Sequence, residues 1–596
     1  MRSRFLVAIS SSPGLAIDGA ELSASIGLDV IFDRYPVLIC ATSAARWLRV
    51  VDQGMVLGTL FPRHGPPRPI ADLSAEDARR ILADGDARLL ASYWGGYVSV
   101  LPCGAMKIRV LRDPSGAQPC YYTRLGNVLL VASDATLLLA TRLVPSGIDW
   151  IALGQHHFLN GLPTPATALE NINELLPGCS LDVPGERDQE PRWSPWDHVE
   201  PKADLADEPI SDRLRRTIIN CTQALASRCD RLLVSVSGGL DSSIVASCLA
   251  RNRPVQCVTM YTDDPAGDER AYARLLCRAL DLPLIERRYR VEDVDIAAAV
   301  SPHLPRPIGR TVNQAFERVH SDLARSAGIG AFVSGNGGDN VFGYSQSAAA
   351  IADRWIDQGL SSGVFRTLRD VCQQTGAGLI EAVQGAIRLR RRRHYQWQPQ
   401  PSFLHREMLM TPSEEYNHPW LRSPRGSLPG KAAHIAALLR VQPLLEPARS
   451  AAAPVFYPLV SQPVIEACLA IPSWQWRAGG RDRAVARDAF ARDLPDAIVR
   501  RRVKGGPDGF SAAIIRYHHA EIRMRLLEGN LAQHKIIDRA AIEAVLRPER
   551  PIQAAEQARI LDLLDTEAWV TGWAQKLGAL NSAGARAATG ARPPSV

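Results

Sequence analysis

The sequence predicts an α/β protein: a doubly wound parallel sheet with a helical insertion, preceded by a β-rich α+β domain. Three observations carry that expectation. Twice, at 231–243 and at 331–344, an apolar, β-rich run breaks into a glycine-dense loop and then a helix-like segment. From about residue 210 onward, strand-like runs alternate with amphipathic helical ones. Before about residue 180, short apolar runs such as Val128–Ala132 are punctuated by Gly and Pro turns.

The elements follow in order. A chain of 596 residues exceeds what one core accommodates and predicts two or three domains. Residues 1–183 form the β-rich unit, and the polar, Pro-rich stretch 184–209 reads as a linker. Residues 210–581 form the alternating unit. Its first strand is 231–236, followed by a helix over 242–251 with Ile244, Val245 and Cys248 on one side. The second strand is 255–261 and its helix 271–280. Residues 345–450 read as a helix-rich insertion. Within it, 388–394 is a dense basic run followed by Tyr395 and Trp397, which reads as a solvated helix face or as a docking surface for an acidic leader peptide, a partner protein or nucleic acid. The Ala/Gly/Pro-rich segment 582–596 is expected to be disordered.

Composition bounds the function. Hydrophobic residues at 46% and charged residues at 22% are ordinary for a globular enzyme. A net charge of +7 over this length does not argue for nucleic acid, although a basic cleft suits anionic substrates. The eleven cysteines form no C-x-x-C pair or zinc spacing, which fits a reducing cytoplasm. The apolar run 5–9 is too short for a secretory signal, and no run approaches a membrane span.

The two loops carry the chemistry. Ser237, Gly238 and Gly239 let the backbone turn tightly, with no Cβ at the glycines to hold a phosphate away. Amides at the following helix start face such an anion, and the helix dipole favours it. Ser237, Ser242 and Ser243 add hydroxyl donors, and Asp241 is placed to hold a Mg2+ ion that neutralises pyrophosphate. The loop 334–338 repeats the design with one carboxylate, Asp339. In a parallel sheet both loops converge at the carboxyl edge, where Asp241 and Asp339 can share one or two Mg2+ ions. No Gly-x-x-x-x-Gly-Lys-Ser/Thr is present; 426–431 has the wrong spacing, so a P-loop kinase is disfavoured.

The pair SGGLDSS (237–243) and SGNGGDNVFGY (334–344) resembles the synthetase domain of the asparagine synthetase family, a group of ATP pyrophosphatases that make acyl-adenylates. Asp268, Glu269 and Ala273 are similar to its D-E-x-x-x-A segment. The stretch 457–467, with Tyr457, Pro458, Leu459, Pro463, Val464, Glu466 and Ala467, resembles its P-F-L-D-x-x-L-V-E-x-A region. Gly480 to Arg487, Leu494-Pro495 and 502–505 resemble its G-x-x-K-x-x-x-R, L-P and R-x-K-x-G run. The resemblance implies ATP and Mg2+ as cofactors. It implies nucleotide contacts from Val236, Ser237, Gly238, Gly239, Leu240, Asp241, Ser242, Ser243, Met260, Gly335, Asn336 and Gly337, with Mg2+ on Asp241 and Asp339. It also places Lys504 at the family's lysine position, as the cation that stabilises adenylation or acyl transfer. Arg483 and Arg487 either steer phosphate or carboxylate or serve the structure, and Arg306 and Arg310 have no assignment.

The front of the chain resembles the family's glutaminase domain (Ntn-type). The matching segments are Gly95-Gly96-Tyr97-Val98, 112–122 and Ala132-Ser133-Asp134, with 162–178 similar to the strip before the synthetase domain. Glutamine hydrolysis in that family requires an N-terminal Cys, whose thiolate attacks the amide. This chain reads Met1-Arg2-Ser3-Arg4, and its first Cys is Cys40 within an apolar stretch. The domain is therefore expected to be a glutaminase-like fold without glutaminase chemistry.

Without that ammonia source, the nucleophile is expected to be an amine already present in the substrate. This pattern resembles two sub-groups, the β-lactam synthetases and the macrolactam-forming cyclases of lasso peptides. Asn336 stands where asparagine synthetases carry an acid and β-lactam synthetases a tyrosine, and an amide cannot accept a proton at neutral pH. Asn340 replaces the acid after Asp339, and 454–459 lacks the glutamate of the tyrosine dyad. These departures favour the lasso cyclase. The expected partner is a precursor peptide, with a leader peptidase and a leader-binding protein as further candidates. Ammonia-dependent asparagine synthesis, a β-lactam-synthetase-like reaction and a non-catalytic homologue stay open as alternatives.

Overall fold

The computed structural model describes residues 3–11, 18–145, 147–185, 189–200, 208–250, 254–392, 395–409, 418–502, 505 and 508–588, side chains of 266, 508 and 581–588 excepted. The N-terminal unit stacks two six-stranded antiparallel sheets. One is ordered Asn173–Glu174, Tyr121–Leu125, Val128–Ala132, Phe5–Ser10, Val37–Ala41 and Asp29–Arg34. The other is ordered Glu190–Pro191, Cys179–Val183, Lys107–Arg112, Tyr93–Gly104, Gly54–Pro62 and Trp47–Val50. Alternate residues meet between the sheets: Phe5, Val7 and Ile9 pack with Met55, Leu57, Val98 and Val110. The odd-even rule sends Leu6 and Ala8 to the opposite face, where Leu137 and Leu138 cover them. Ile81 and Leu89 cover Tyr97, Leu101 and Leu111 on the outer face of the second sheet. The result is a β-sandwich with helices on both outer faces.

The second unit is built on five parallel strands, in the order Leu284–Arg288, Val255–Tyr261, Leu232–Ser235, Ala331–Val333 and Val455–Phe456. The chain starts in the middle, grows to one side and then crosses to the other. This reversal opens a crevice between the carboxyl ends of Leu232–Ser235 and Ala331–Val333, the place where doubly wound sheets bind ligands. Both sheet faces are covered, which explains why these strands read as continuous apolar runs. Among its described residues the insertion contains four α-helices, Ala349–Gln358, Ser362–Thr375, Leu379–Arg391 and Pro429–Leu439. Within it Arg390 lies over the Trp355 ring, 4.6 Å from its centroid. Arg393 and His394 lie outside the described residues.

Two readings of the sequence need correction. The stretch 184–209 is not a free linker over its described part. Glu190–Pro191 adds an edge strand, and Trp193 is buried, donating Nε1–H to Glu466 at 3.1 Å. An indole next to prolines looks like linker punctuation in sequence but gains by burial. At the other end, the final helix runs from Ala554 to Ala588, into the segment assigned to a tail. Alanine's high helix propensity, invisible to a composition rule for disorder, accounts for the extension.

Buried ion pairs join the two units. Arg63 from the sandwich meets Glu466 at 2.5 Å. Glu174 takes Arg112 at 2.6 Å on its own side and Arg306 from the second unit. Arg306, unassigned by sequence, thus has an interface role. Burial works to raise the Glu174 carboxyl, but Arg306 and Arg112 outweigh it and hold it below its ordinary value. Such a depressed carboxyl stabilises the fold above the unfolded glutamate value and loses that contribution as pH falls through the folded one. Glu174→Gln strands two guanidinium groups and is expected to cost about 3–5 kcal/mol at neutral pH. Urea titrations at pH 7 and below about 4 check this: the wild-type advantage shrinks in acid.

Candidate nucleotide site

The crevice holds a cavity of about 330 Å3. Its floor is the first loop. Leu232–Ser235 ends, Gly238 turns the chain at φ 63°, and the helix Leu240–Leu249 begins with no side-chain cap at Gly239. A Cβ at Gly238 would collide with the Tyr272 backbone, so only glycine fits there. The uncapped helix start leaves its first amides facing the cavity. Ser242 and Ser243 donate Oγ–H to the Gly239 carbonyl at 3.2 and 2.8 Å, and Ser237 N donates to Ser242 Oγ at 3.4 Å. The hydroxyls shape the loop as well as line it.

The second loop leans directly on the first. A Cβ at Gly335 would stand 2.6 Å from Ser242 N, and one at Gly338 would overlap the Asp241 carboxyl group. Two glycines therefore set the separation of the loops. Gly338→Ala is expected to abolish nucleotide binding in a calorimetric titration while far-UV circular dichroism stays unchanged, because the methyl displaces a carboxylate and not a core side chain.

Val236, Ser237, Gly239, Leu240, Asp241, Ser242, Met260, Gly335, Asn336, Gly337 and Asp339 all line the cavity. Gly238 and Ser243 support the loop from behind, Ser243 being fully buried. Lys504 lies outside the described residues. Its neighbours reach the site: Arg501 and Arg502 line the cavity, Arg501 donates to Glu269 at 2.6 Å and to the Ser237 carbonyl at 3.2 Å, and Gly505 N donates to Glu269 at 3.1 Å. Glu269 thus ties Arg501 and Gly505 together beside the first loop.

At the centre is Arg483. Its Nη1 donates to both oxygens of Asp241 at 3.1 Å and also to Asp339. Burial opposes its charge, but Asp241, Asp339 and Asp482 prevail and hold the guanidinium above its ordinary value. Arg483 adopts φ 52°, a left-handed backbone that costs a non-glycine residue on the order of 1 kcal/mol. Its ion pairs outweigh that strain. The sequence left the roles of Arg483 and Arg487 undivided. Both line the cavity, but Arg487 donates to Asp482 at 2.7 Å and to the Val499 carbonyl at 2.6 Å and not to Asp241 or Asp339.

Two carboxylates that meet one cationic atom form a fair test for a divalent ion. Mg2+ is held by one or two carboxylates, with phosphate oxygens and water completing its shell. Asp241 and Asp339 fit that donor set. Among the described residues no cluster of three or more Asp, Glu, His or Cys offers an all-protein cage.

One pair escaped the sequence altogether. Ser235, which lines the cavity, lies with Oγ 2.7 Å from His320 Nε2, while His320 Nδ1 lies 2.8 Å from the Phe316 carbonyl. A carbonyl only accepts, so Nδ1 carries the proton and Ser235 donates to Nε2. Burial, with Arg449 nearby, pushes the imidazole down to about 3, leaving it neutral. The only sequence signal was a histidine on the buried face of the amphipathic helix Gln314–Ala327.

Comparison with known proteins comes to the same two units. Residues 214–571 match the asparagine synthase family model, and residues 92–194 match that of the glutamine amidotransferase domain. A curated relative, asparagine synthetase [glutamine-hydrolyzing] 3 of Bacillus subtilis (strain 168), is 27% identical over 147 residues. That match covers 23% of this chain and 22% of the relative, so it spans about a fifth of the relative's length. Among solved structures, the B. subtilis glutamine phosphoribosylpyrophosphate amidotransferase complexed with ADP and GMP aligns at 11% identity and a TM-score of 0.19, covering 48% of this chain and 65% of that one. The structure of an allosteric regulatory enzyme of purine biosynthesis aligns at 10% identity and a TM-score of 0.19, covering 48% and 80%.

Proposed function

The chain belongs to the asparagine synthase family, and from that premise we infer that it is an ATP-dependent, AMP-forming amide ligase. The convergence of Asp241 and Asp339 at the mouths of two glycine loops carries this reading. A substrate carboxylate oxygen attacks the α-phosphorus of ATP, pyrophosphate leaves, and an amine then attacks the acyl carbon as AMP departs. The 237–239 turn and the helix start at Leu240 receive the phosphates. Arg483 holds the two carboxylates together, and Mg2+, when bound by them, neutralises the departing pyrophosphate. Glu269 holds Arg501 and Gly505, on either side of Lys504, beside the first loop, and Lys504 is the residue we assign as the cation for the transition state.

The finer reading is a lasso peptide cyclase, which joins a side-chain Asp or Glu carboxylate of a precursor peptide to the peptide's N-terminal amine. Asn336 at the cavity supports it, because an amide supplies no base of the asparagine synthetase kind. So does the sandwich. Among the residues lining the cavity between the two units there is no cysteine, and burial pushes the Cys40 and Cys120 thiols up to about 11 and about 12. Neither is the thiolate that glutamine hydrolysis needs. An internal amine held against the acyl group is worth roughly 7–11 kcal/mol of barrier. Asparagine formation is the second reading, favoured by the name of the curated relative, with free ammonia as its nitrogen source because the buried thiols of the sandwich supply no thiolate.

One assay separates them. The enzyme is incubated with ATP, Mg2+ and a candidate precursor, with and without a leader-removing peptidase, and in parallel with aspartate plus ammonium. A peptide product lighter by one water, with AMP and pyrophosphate, is expected. Turnover with aspartate and ammonium alone would refute cyclisation, and no ATP turnover in either arm would refute the ligase.

A further inference from the structure

The nucleotide cavity spans the carboxyl edge of the parallel sheet, and its two sides differ. Alternation along Leu232–Ser235 sends Val234 to the core shared with Ile244 and Val245 of the helix Leu240–Leu249, the side of the 237–239 turn. Leu233 and Ser235 take the other face, where Leu233 packs with Leu323 and Ala324 of the helix Gln314–Ala327. On that face Ser235, its cross-strand neighbour Val258 and Phe316 line the cavity. Behind them His320 is buried, with Nε2 2.7 Å from the Ser235 hydroxyl and Nδ1 2.8 Å from the Phe316 carbonyl. The Phe316 and His320 rings lie 3.9 Å apart between centroids. Their helical turn is pinned from outside the cavity. Arg449 N donates to Glu317 at 2.8 Å, the Arg449 guanidinium pairs with the same carboxylate, and it lies 5.1 Å from the Phe316 ring centroid.

A serine hydroxyl has a single proton and two lone pairs. Here the proton is spent on Nε2 of a neutral imidazole, which has none to return at that nitrogen, so toward the cavity Ser235 can only accept. An aliphatic and an aromatic wall suit a flat base. A fixed acceptor between them suits an amine and leaves a carbonyl oxygen unpaired against it. We propose that Ser235, its hydroxyl oriented by His320, accepts a hydrogen bond from the exocyclic amine of the nucleotide's base and so selects adenine over 6-oxo purines. His320 is the positioning residue, since it acts only through the serine. The inference rests on the reading of the crevice as a nucleotide site and goes beyond it by naming what chooses the base.

The test is calorimetry on the full chain with the Mg2+ complexes of ATP, ITP and 2′-deoxy-ATP, which differ at the base amine or at the ribose. The wild type is expected to bind ATP at least about tenfold more tightly than ITP, and Ser235→Ala to lose about tenfold of that preference. His320→Leu keeps the serine but frees its proton to meet an oxo group. It is therefore expected to shift the preference toward ITP, whereas a merely structural histidine would weaken both nucleotides alike. Ser235→Ala trims one atom from the cavity wall and decides the matter should the buried histidine variant not fold. The inference is overturned if the wild type binds ATP and ITP alike, or if Ser235→Ala leaves the preference intact. It is overturned too if Ser235→Ala weakens ATP but not 2′-deoxy-ATP, which would assign the hydroxyl to the ribose. Should no triphosphate bind the wild type, the nucleotide reading itself falls, and the inference with it.

Discussion

Asp241→Asn is expected to lower ATP-dependent pyrophosphate release by on the order of 10²–10³. The side chain is buried in the first turn of the helix Leu240–Leu249, with both oxygens 3.1 Å from Arg483 Nη1. Asparagine keeps the shape and loses the charge. It can neither balance Arg483 nor share a cation with Asp339, so charge developing on the pyrophosphate goes uncompensated. Asp322→Asn, on an exposed position of the helix Gln314–Ala327, is the control and is expected to stay within about twofold. Pyrophosphate release and ATP affinity are measured together. A variant that binds ATP normally and still turns over at the wild-type rate would remove Asp241 from the mechanism.

The second large effect concerns stability. Arg483→Met removes the guanidinium that the Asp241 and Asp339 carboxylates share. Asp241 is 10% exposed at its side chain, so water screens it poorly, whereas Asp339 is 41% exposed and relieves part of the repulsion. In EDTA the variant is expected to lose about 3–5 kcal/mol, the usual cost of stranding a buried charge. Mg2+ is expected to restore much of that loss, since it binds the native pair and not the unfolded chain. The wild type, already carrying its own cation there, should respond far less. Thermal melts with and without Mg2+ decide the matter, and a variant indifferent to Mg2+ would speak against a shared ion.

Local features of the sequence predicted the fold well. The second strand was read as 255–261, its observed extent, because a compact apolar run between a proline and polar turn residues has few alternatives. The first strand spans Leu232–Ser235, slightly shorter than read, and its helix begins at Leu240, two residues early. Gly239 ends the loop, which puts Asp241 on the first helical turn. Glycine spacing made the loops legible, and with them Asp241 and Asp339. Long-range electrostatics were not legible. Arg483 lies 242 residues from Asp241, and no local pattern distinguishes it from Arg487. Trp193 and Arg306 were missed for the same reason: their partners Glu466 and Glu174 belong to distant segments.

The edge strand Val455–Phe456 has only two residues, yet it lines the interdomain chamber and pairs with the strand that leads into the nucleotide cavity. Phe456 and Val460 line the interdomain chamber, Ser334 lines the nucleotide cavity, and Ser334 N donates to the Phe456 carbonyl at 3.0 Å. The Val460 side chain also fills the space beside Gly337. A displacement of this strand on the interdomain side is therefore expected to be passed to Ser334 and Gly337 of the second glycine loop.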